Sequence, residues 1–261
     1  PDDKRKPDNV DEPQVLFVVE TLRDRLGLRT GRVLPADVFL FGIGEAPRRD
    51  ATKVGGLPYW PVDRPWPKDS AGVPYRYLAQ FNFTDSRDLF PDLPGDVLVL
   101  LVGEEWDDWL AVEPLAIHLE WLPLGLEPVE SLEPALMANP GLAFFGAIHR
   151  TADYPDAEEA AKQAGIRGAS FAAIISGTKI GGFPYPIQDY DREFNGKLLC
   201  QLGSMAVGDD ISYPTASHLA ESLDADPALG EIERSLNFMD AGIVYIFRNE
   251  DGTFRTSFQT Y

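Results

Sequence analysis

The chain has 261 residues, 44% hydrophobic and 25% charged, a composition that supports a packed core and argues against a disordered polymer. Its net charge of −19 repels nucleic acid and anionic membranes and would attract a basic protein, although the same acidity also serves plain solubility. No run of 18 apolar residues offers a membrane-spanning helix, and the single cysteine, Cys200, excludes an internal disulfide framework and suits a reducing compartment.

Residues 1–13 read as a flexible tail without an apolar leader core, so the chain is expected in the cytoplasm. Val15, Val18, Val19, Leu22 and Leu26 follow helical spacing, and Gly27 and Gly31 mark a stop, which predicts a helix over 14–28. A short apolar run at 37–42 predicts a strand. Five prolines between 58 and 74 forbid regular structure there and predict an ordered loop pinned by Trp60 and Trp66. Strands are expected at 75–83, 97–102, 109–112 and 116–122, with a charged hairpin turn at 103–108. The 97–102 run is wholly apolar, as a strand buried on both faces should be. Helices are expected at 131–138, at 156–164 and within 217–237, and strands at 171–176, 197–202 and 242–247.

One pattern dominates this order. Thr52-Lys53-Val54-Gly55-Gly56-Leu57-Pro58-Tyr59 returns 126 residues later as Thr178-Lys179-Ile180-Gly181-Gly182-Phe183-Pro184-Tyr185, six of eight positions being identical. Leu78-x-Gln80 returns as Leu199-x-Gln201, and a glycine followed by apolar β-formers recurs at Gly95 and Gly242. The repetition predicts an internal duplication. The expected fold is α+β: two pseudo-twofold-related halves of short β-strands with peripheral helices. A single domain over 14–261 would contain two repeats, at about 37–122 and 171–258.

These residues resemble the YwqG-like family of bacterial proteins, a domain of unknown function. The signature is Lys53-x-Gly55-Gly56-x-Pro58, Trp66-Pro67, Leu78-Ala79-Gln80 and Asp92-Leu93-Pro94. Its second copy is Lys179-x-Gly181-Gly182-x-Pro184, Gln188, Leu199-x-Gln201 and Asp240-Ala241-Gly242. The resemblance implies a duplicated α+β domain and brings no catalytic residues with it.

Each motif has a structural and a functional reading. The two Lys-x-Gly-Gly loops could cradle an anion, but no helix N-terminus follows them, and Pro58 and Pro184 fix the exit. Glycines at Gly55, Gly56, Gly181 and Gly182 otherwise serve positive φ or close backbone approach. Each lysine would then pair with a buried carboxylate. Gln80 and Gln201 stand in apolar strands, where each either bonds loop backbone or lines a cleft between the halves. The residues assigned to that cleft are Lys53, Trp60, Trp66, Gln80, Lys179, Gln188 and Gln201. His118, His149 and His218 lack ligand spacing, so no metal and no cofactor is expected. Cys200 reads as a small core residue. Glu104, Glu105, Trp106, Asp107 and Asp108 form an acidic, tryptophan-centred candidate protein interface. The expected function is a non-catalytic binding protein, an immunity or antitoxin-type inhibitor of a basic partner. The alternatives are a small-ligand domain using the cleft, or an enzyme of unrecognised type.

Overall fold

The computed structural model describes residues 27–103, 117–157, 174–187, 196–206, 235–236 and 242–260, without 28 and 30, and with the isolated positions 24 and 159. Ten strands form one sheet: β1 (Leu34–Ile43), β2 (Lys53–Gly55), β3 (Arg76–Asn82), β4 (Val97–Val102), β5 (Ile117–Leu122), β6 (Ala143–Asp153), β7 (Lys179–Gly181), β8 (Lys197–Gly203), β11 (Ile243–Arg248) and β12 (Phe254–Gln259). Two short strands, β9 (Met205–Ala206) and β10 (Ser235–Leu236), pair separately. The sheet order is β12-β11-β8-β7-β1-β6-β2-β3-β4-β5. Every strand pair is antiparallel.

This corrects the α+β expectation. Among the described residues the architecture is an antiparallel sheet without peripheral helices. Helix is limited to the 3-10 turns Thr84–Ser86 and Pro134–Leu136 and to single helical positions at 24, 157 and 159. The expected helix at 131–138 fails for a local reason. Pro134 lacks an N–H and holds the preceding Glu133 extended, at ψ 136°. The segment instead docks by its backbone, Ala138 N–H donating to Tyr77 O at 2.8 Å. Of the stretch expected as a strand at 171–176, residues 174–176 are irregular, and 171–173 lie outside the described residues. The expectations for 14–23, 104–116, 160–164 and 217–234 also lie outside them. The expected strands include neither β6 nor β12, nor β2 and β7, which read as loops, nor β9 and β10, the last of which falls in the stretch 217–237 expected to contain helices. β6 opens on the apolar stretch Ala143–Ile148, interrupted by Gly146, and along the strand only Phe144 and Asp153 are buried.

The sheet reads alike from both ends. β2, β3, β4 and β5 continue outward from β6, as β7, β8, β11 and β12 continue outward from β1. Each set therefore takes its innermost strand from the other: β1 pairs with β7, and β6 with β2. The second set thus begins with β6, ahead of the repeated loop. Matched backbone hydrogen bonds mark the equivalence. Gly146 N–H donates to Thr52 O at 2.9 Å and Phe39 N–H to Thr178 O at 3.0 Å. Gly56 N–H donates to Leu142 O at 2.9 Å, and Gly182 N–H to Pro35 O at 2.8 Å.

The sheet curls until its edge strands touch, with the Trp121 ring of β5 5.5 Å from the Phe254 ring of β12. A barrel-like interior results, filled by residues of both sets, including Phe39, Phe81, Leu98, Phe144, Cys200 and Ile246. Because side chains alternate along a strand, the outward residues of β4 and β11 need covers of their own. Val97, Val99 and Leu101 pack under Tyr59 and Trp60, whereas Ile243, Tyr245 and Phe247 pack with Tyr154 and Tyr185. That explains the unbroken apolar run of β4, which is buried at all six positions. The proline-rich loop is pinned as its composition suggests. Trp60 Nε1 donates to Arg64 O at 3.1 Å and Trp66 Nε1 to Tyr75 O at 2.6 Å.

Candidate functional site

The two Lys-Gly-Gly loops are the matched features of the sheet, and their glutamines hold them in the same way. Gln80 is the cross-strand partner of Lys53, as Gln201 is of Lys179. Gln80 Nε2 donates to Arg49 O and Ala51 O at 2.9 and 2.8 Å. Gln201 Nε2 donates to Ile175 O, Ser176 O and Gly177 O at 3.2, 3.0 and 2.8 Å. Each Oε1 accepts from the tyrosine N–H that ends the loop, Tyr59 at 2.8 Å and Tyr185 at 3.1 Å. Thr52 Oγ1 accepts from Asn82 N–H, and Thr178 Oγ1 from Gly203 N–H. A buried carboxamide thus satisfies backbone groups that the irregular loop cannot pair.

The glycines are forced by geometry. Gly55, Gly56, Gly181 and Gly182 have φ of 64°, 64°, 72° and 73°. A Cβ at Gly55 would lie 2.0 Å from Leu142 O, and one at Gly182 2.3 Å from Asp153 Oδ2.

The lysines differ. Lys179 Nζ donates to Asp153 Oδ2 at 2.6 Å and to Ile175 O at 2.7 Å, and both ion-pair side chains are 0% exposed. Asp153 also accepts from Ile175 N–H at 2.9 Å and Phe183 N–H at 2.8 Å. Lys53 is 2% exposed, yet among the described residues its Nζ has no hydrogen-bond partner, and nor does the buried Nη1 of Arg49. Glu45 occupies the place over Gly56 that Asp153 occupies over Gly182. It accepts from Leu57 N–H, at 3.2 and 3.3 Å, as Asp153 accepts from Phe183. Glu45 is exposed and makes no ion pair with Lys53.

Burial, reinforced by the Arg49 charge, lowers the Lys53 pKa to about 8 from 10.5, while Glu45 and Asp50 act weakly the other way. The folded chain therefore releases this proton earlier than the unfolded chain. Between pH about 8 and 10.5 the unfolded state binds more protons, so stability should rise with pH across that window. Urea unfolding at about pH 7 and about pH 9.5 should show the rise in the wild type and a smaller one in Lys53→Met. Equal pH dependence in the two would contradict this.

The structure places the remaining candidates as follows. Trp60 and Trp66 lie 5.1 Å apart, ring to ring, and the Arg64 guanidinium lies 5.7 Å from Trp60. Both tryptophans join the outer cover of the first set with Tyr77, which donates its hydroxyl to Gln80 Oε1 at 3.2 Å. Lys53, Gln80, Trp60 and Trp66 therefore share one outer layer. Lys179 and Gln201 belong to the other set, with β6 and β1 between the two groups. Pro58 and Pro184 are buried at the loop exits. Gln188 and the stretch Glu104, Glu105, Trp106, Asp107 and Asp108 lie outside the described residues. Cys200 is buried in the barrel interior, and burial pushes its thiol well above the ordinary range. No cluster of His, Cys, Asp and Glu able to hold a metal occurs among the described residues. Sequence reasoning passed over Glu45 and Arg49, whose neighbourhood is set by folding and has no motif of its own. It also passed over an apolar cavity of about 300 Å³ beside the second glycine pair, lined by Pro35, Leu89, Phe90, Phe183 and Lys197.

Residues 52–114 match the family model of a domain of unknown function, DUF1963. The match begins at the first Lys-Gly-Gly loop and takes in β3 and β4. No curated protein matches the chain. Among the described residues, no helix is long and apolar enough to cross a membrane.

Proposed function

We propose that this chain is a non-catalytic cytoplasmic binding protein of the YwqG-like kind that engages a basic protein, in the manner of an immunity protein or antitoxin. The observation that carries the reading is the disposition of charge. The net charge is −19, and arginines that could offset it outwardly are held in ion pairs with the chain's own carboxylates. Arg32 pairs with Asp156, Arg64 with Glu120, Arg87 with Asp96, and Arg150 with Asp37 and Asp88. The net surplus of acid is what would steer a cationic partner.

The test is capture from the native cell followed by association kinetics with the purified partner. A strongly basic partner is expected, with an on-rate that falls as salt screens charges beyond a Debye length of ~8 Å. Reversing Glu104, Glu105, Asp107 and Asp108 should lower the on-rate further. Trp106→Ala should raise the off-rate, since a buried aromatic anchor contributes about 2 kcal/mol or more. A partner that is neutral or acidic, or an on-rate indifferent to salt, would count against the reading.

A further inference from the structure

We propose that the first Lys-Gly-Gly loop is a binding site for a small carboxylate-bearing ligand, whose carboxylate takes the place beside Lys53 that Asp153 fills beside Lys179. The second set shows what such a frame holds. Three donors converge there on one carboxylate: Lys179 Nζ, Ile175 N–H and Phe183 N–H, at 2.6, 2.9 and 2.8 Å. The first set repeats the frame, with the same glutamine staple, the same positive-φ glycine pair and the same lysine, but leaves the lysine open. Lys53 Nζ is buried and has no hydrogen-bond partner among the described residues. Arg49, standing where the second set has Ile175, adds a guanidinium whose buried Nη1 also lacks one. Two orphaned cationic donors in one buried place cost stability unless an anion meets them.

Among the described residues no carboxylate supplies that anion. Glu45 reaches the loop from the exposed side and is held only by the Leu57 N–H, at 3.2 and 3.3 Å. Its place over Gly56 shows that the frame admits a carboxylate: a Cβ on that glycine would fall 2.9 Å from both Glu45 oxygens, as one on Gly182 would strike Asp153. A ligand carboxylate displacing Glu45 would gain Lys53, Arg49 and the Leu57 N–H together. Ammonium, guanidinium and amide N–H are donors suited to a carboxylate's two oxygens, and Asp153 is the internal example of a carboxylate held by an ammonium and amide N–H groups. The proposal does not rest on the reading of a basic protein partner, and its outcome leaves that reading untouched.

Acetate and malonate are the probes, titrated into the full chain against chloride at matched ionic strength and neutral pH. Melting temperature and the NMR shift of the Lys53 Cε methylene are followed. Both should change saturably in the wild type. Lys53→Met should lose the thermal response, and Arg49→Met should weaken it. Glu45→Gln removes the internal competitor and should lower the half-saturating concentration several-fold. Three results would overturn the proposal: no saturable change in the wild type, an undiminished response in Lys53→Met, or a Glu45→Gln variant that melts lower and binds no better. The last would make Glu45 the lysine's own counter-ion.

Discussion

Lys179→Met is expected to lower the unfolding free energy by about 3–5 kcal/mol, whereas Lys53→Met should be neutral or stabilising by about 1–2 kcal/mol. The two lysines carry the same local sequence and the same strand register, so the contrast isolates their charge environment. Lys179 and Asp153 are both 0% exposed and are joined at 2.6 Å. Methionine in place of Lys179 keeps the apolar stem but leaves the Asp153 carboxylate in the interior without the ammonium that balances its charge. An uncompensated buried charge is among the costliest single changes a fold can suffer. Lys53 has no such partner to strand. Its ammonium is buried without a hydrogen bond, which is why its proton is already loosened. Methionine there removes a desolvation cost and keeps the packing. A further Asp153→Asn change should recover part of the loss in Lys179→Met, because a carboxamide costs less to bury than a charge. Urea unfolding of the four proteins checks the set. Equal losses for the two lysine variants would show that the local frame, and not the ion pair, sets stability.

The parts of this fold that could be read from the sequence are those in which backbone geometry dictates residue type. Positive φ beside a close carbonyl admits only glycine, so Gly55-Gly56 and Gly181-Gly182 stand out as a repeated pair. A loop without internal partners needs a carboxamide from the neighbouring strand, so Gln80 and Gln201 stand out in apolar runs. A strand covered on both faces needs every residue apolar, so β4 was visible as a continuous run. The innermost strands obey no such rule. β1 and β6 take up exchanged places in the sheet and are held by backbone pairing, by the Arg150–Asp37 ion pair and by shared core packing of Phe39 and Phe144, none of which is a local motif. Likewise, Asp153 neutralises Lys179 from the end of β6, whereas Glu45 approaches Lys53 from a loop. Equivalence in the lysine therefore says nothing about its counter-charge. Of the expected helices, the one over 131–138 fails because a single proline and a docking hydrogen bond to Tyr77 decide otherwise.

Gly182→Val and Gly55→Val should each destabilise the protein by more than about 3 kcal/mol, enough to abolish the folded signal at moderate temperature. Two separate costs combine. A β-branched residue at φ 73° or 64° is a backbone outlier, costing on the order of 1–3 kcal/mol by itself. The new Cβ then has nowhere to go. At Gly182 it would meet Asp153 Oδ2 at 2.3 Å and Ala36 Cβ at 2.9 Å, so the carboxylate that holds Lys179 must move. At Gly55 it would meet Leu142 O at 2.0 Å, the acceptor of the Gly56 N–H, so β2 must separate from β6 where Gly55 faces Ala143. Gly72 and Gly252 separate the two costs. Their φ values are 86° and 83°, but a Cβ there meets nothing within 4 Å. Alanine at either should cost only about 1 kcal/mol, the conformational share alone. Circular dichroism and thermal melting of the four variants distinguish the cases. If Gly182→Val keeps the wild-type melting temperature, the close approach of Asp153 cannot be what selects glycine at the second loop.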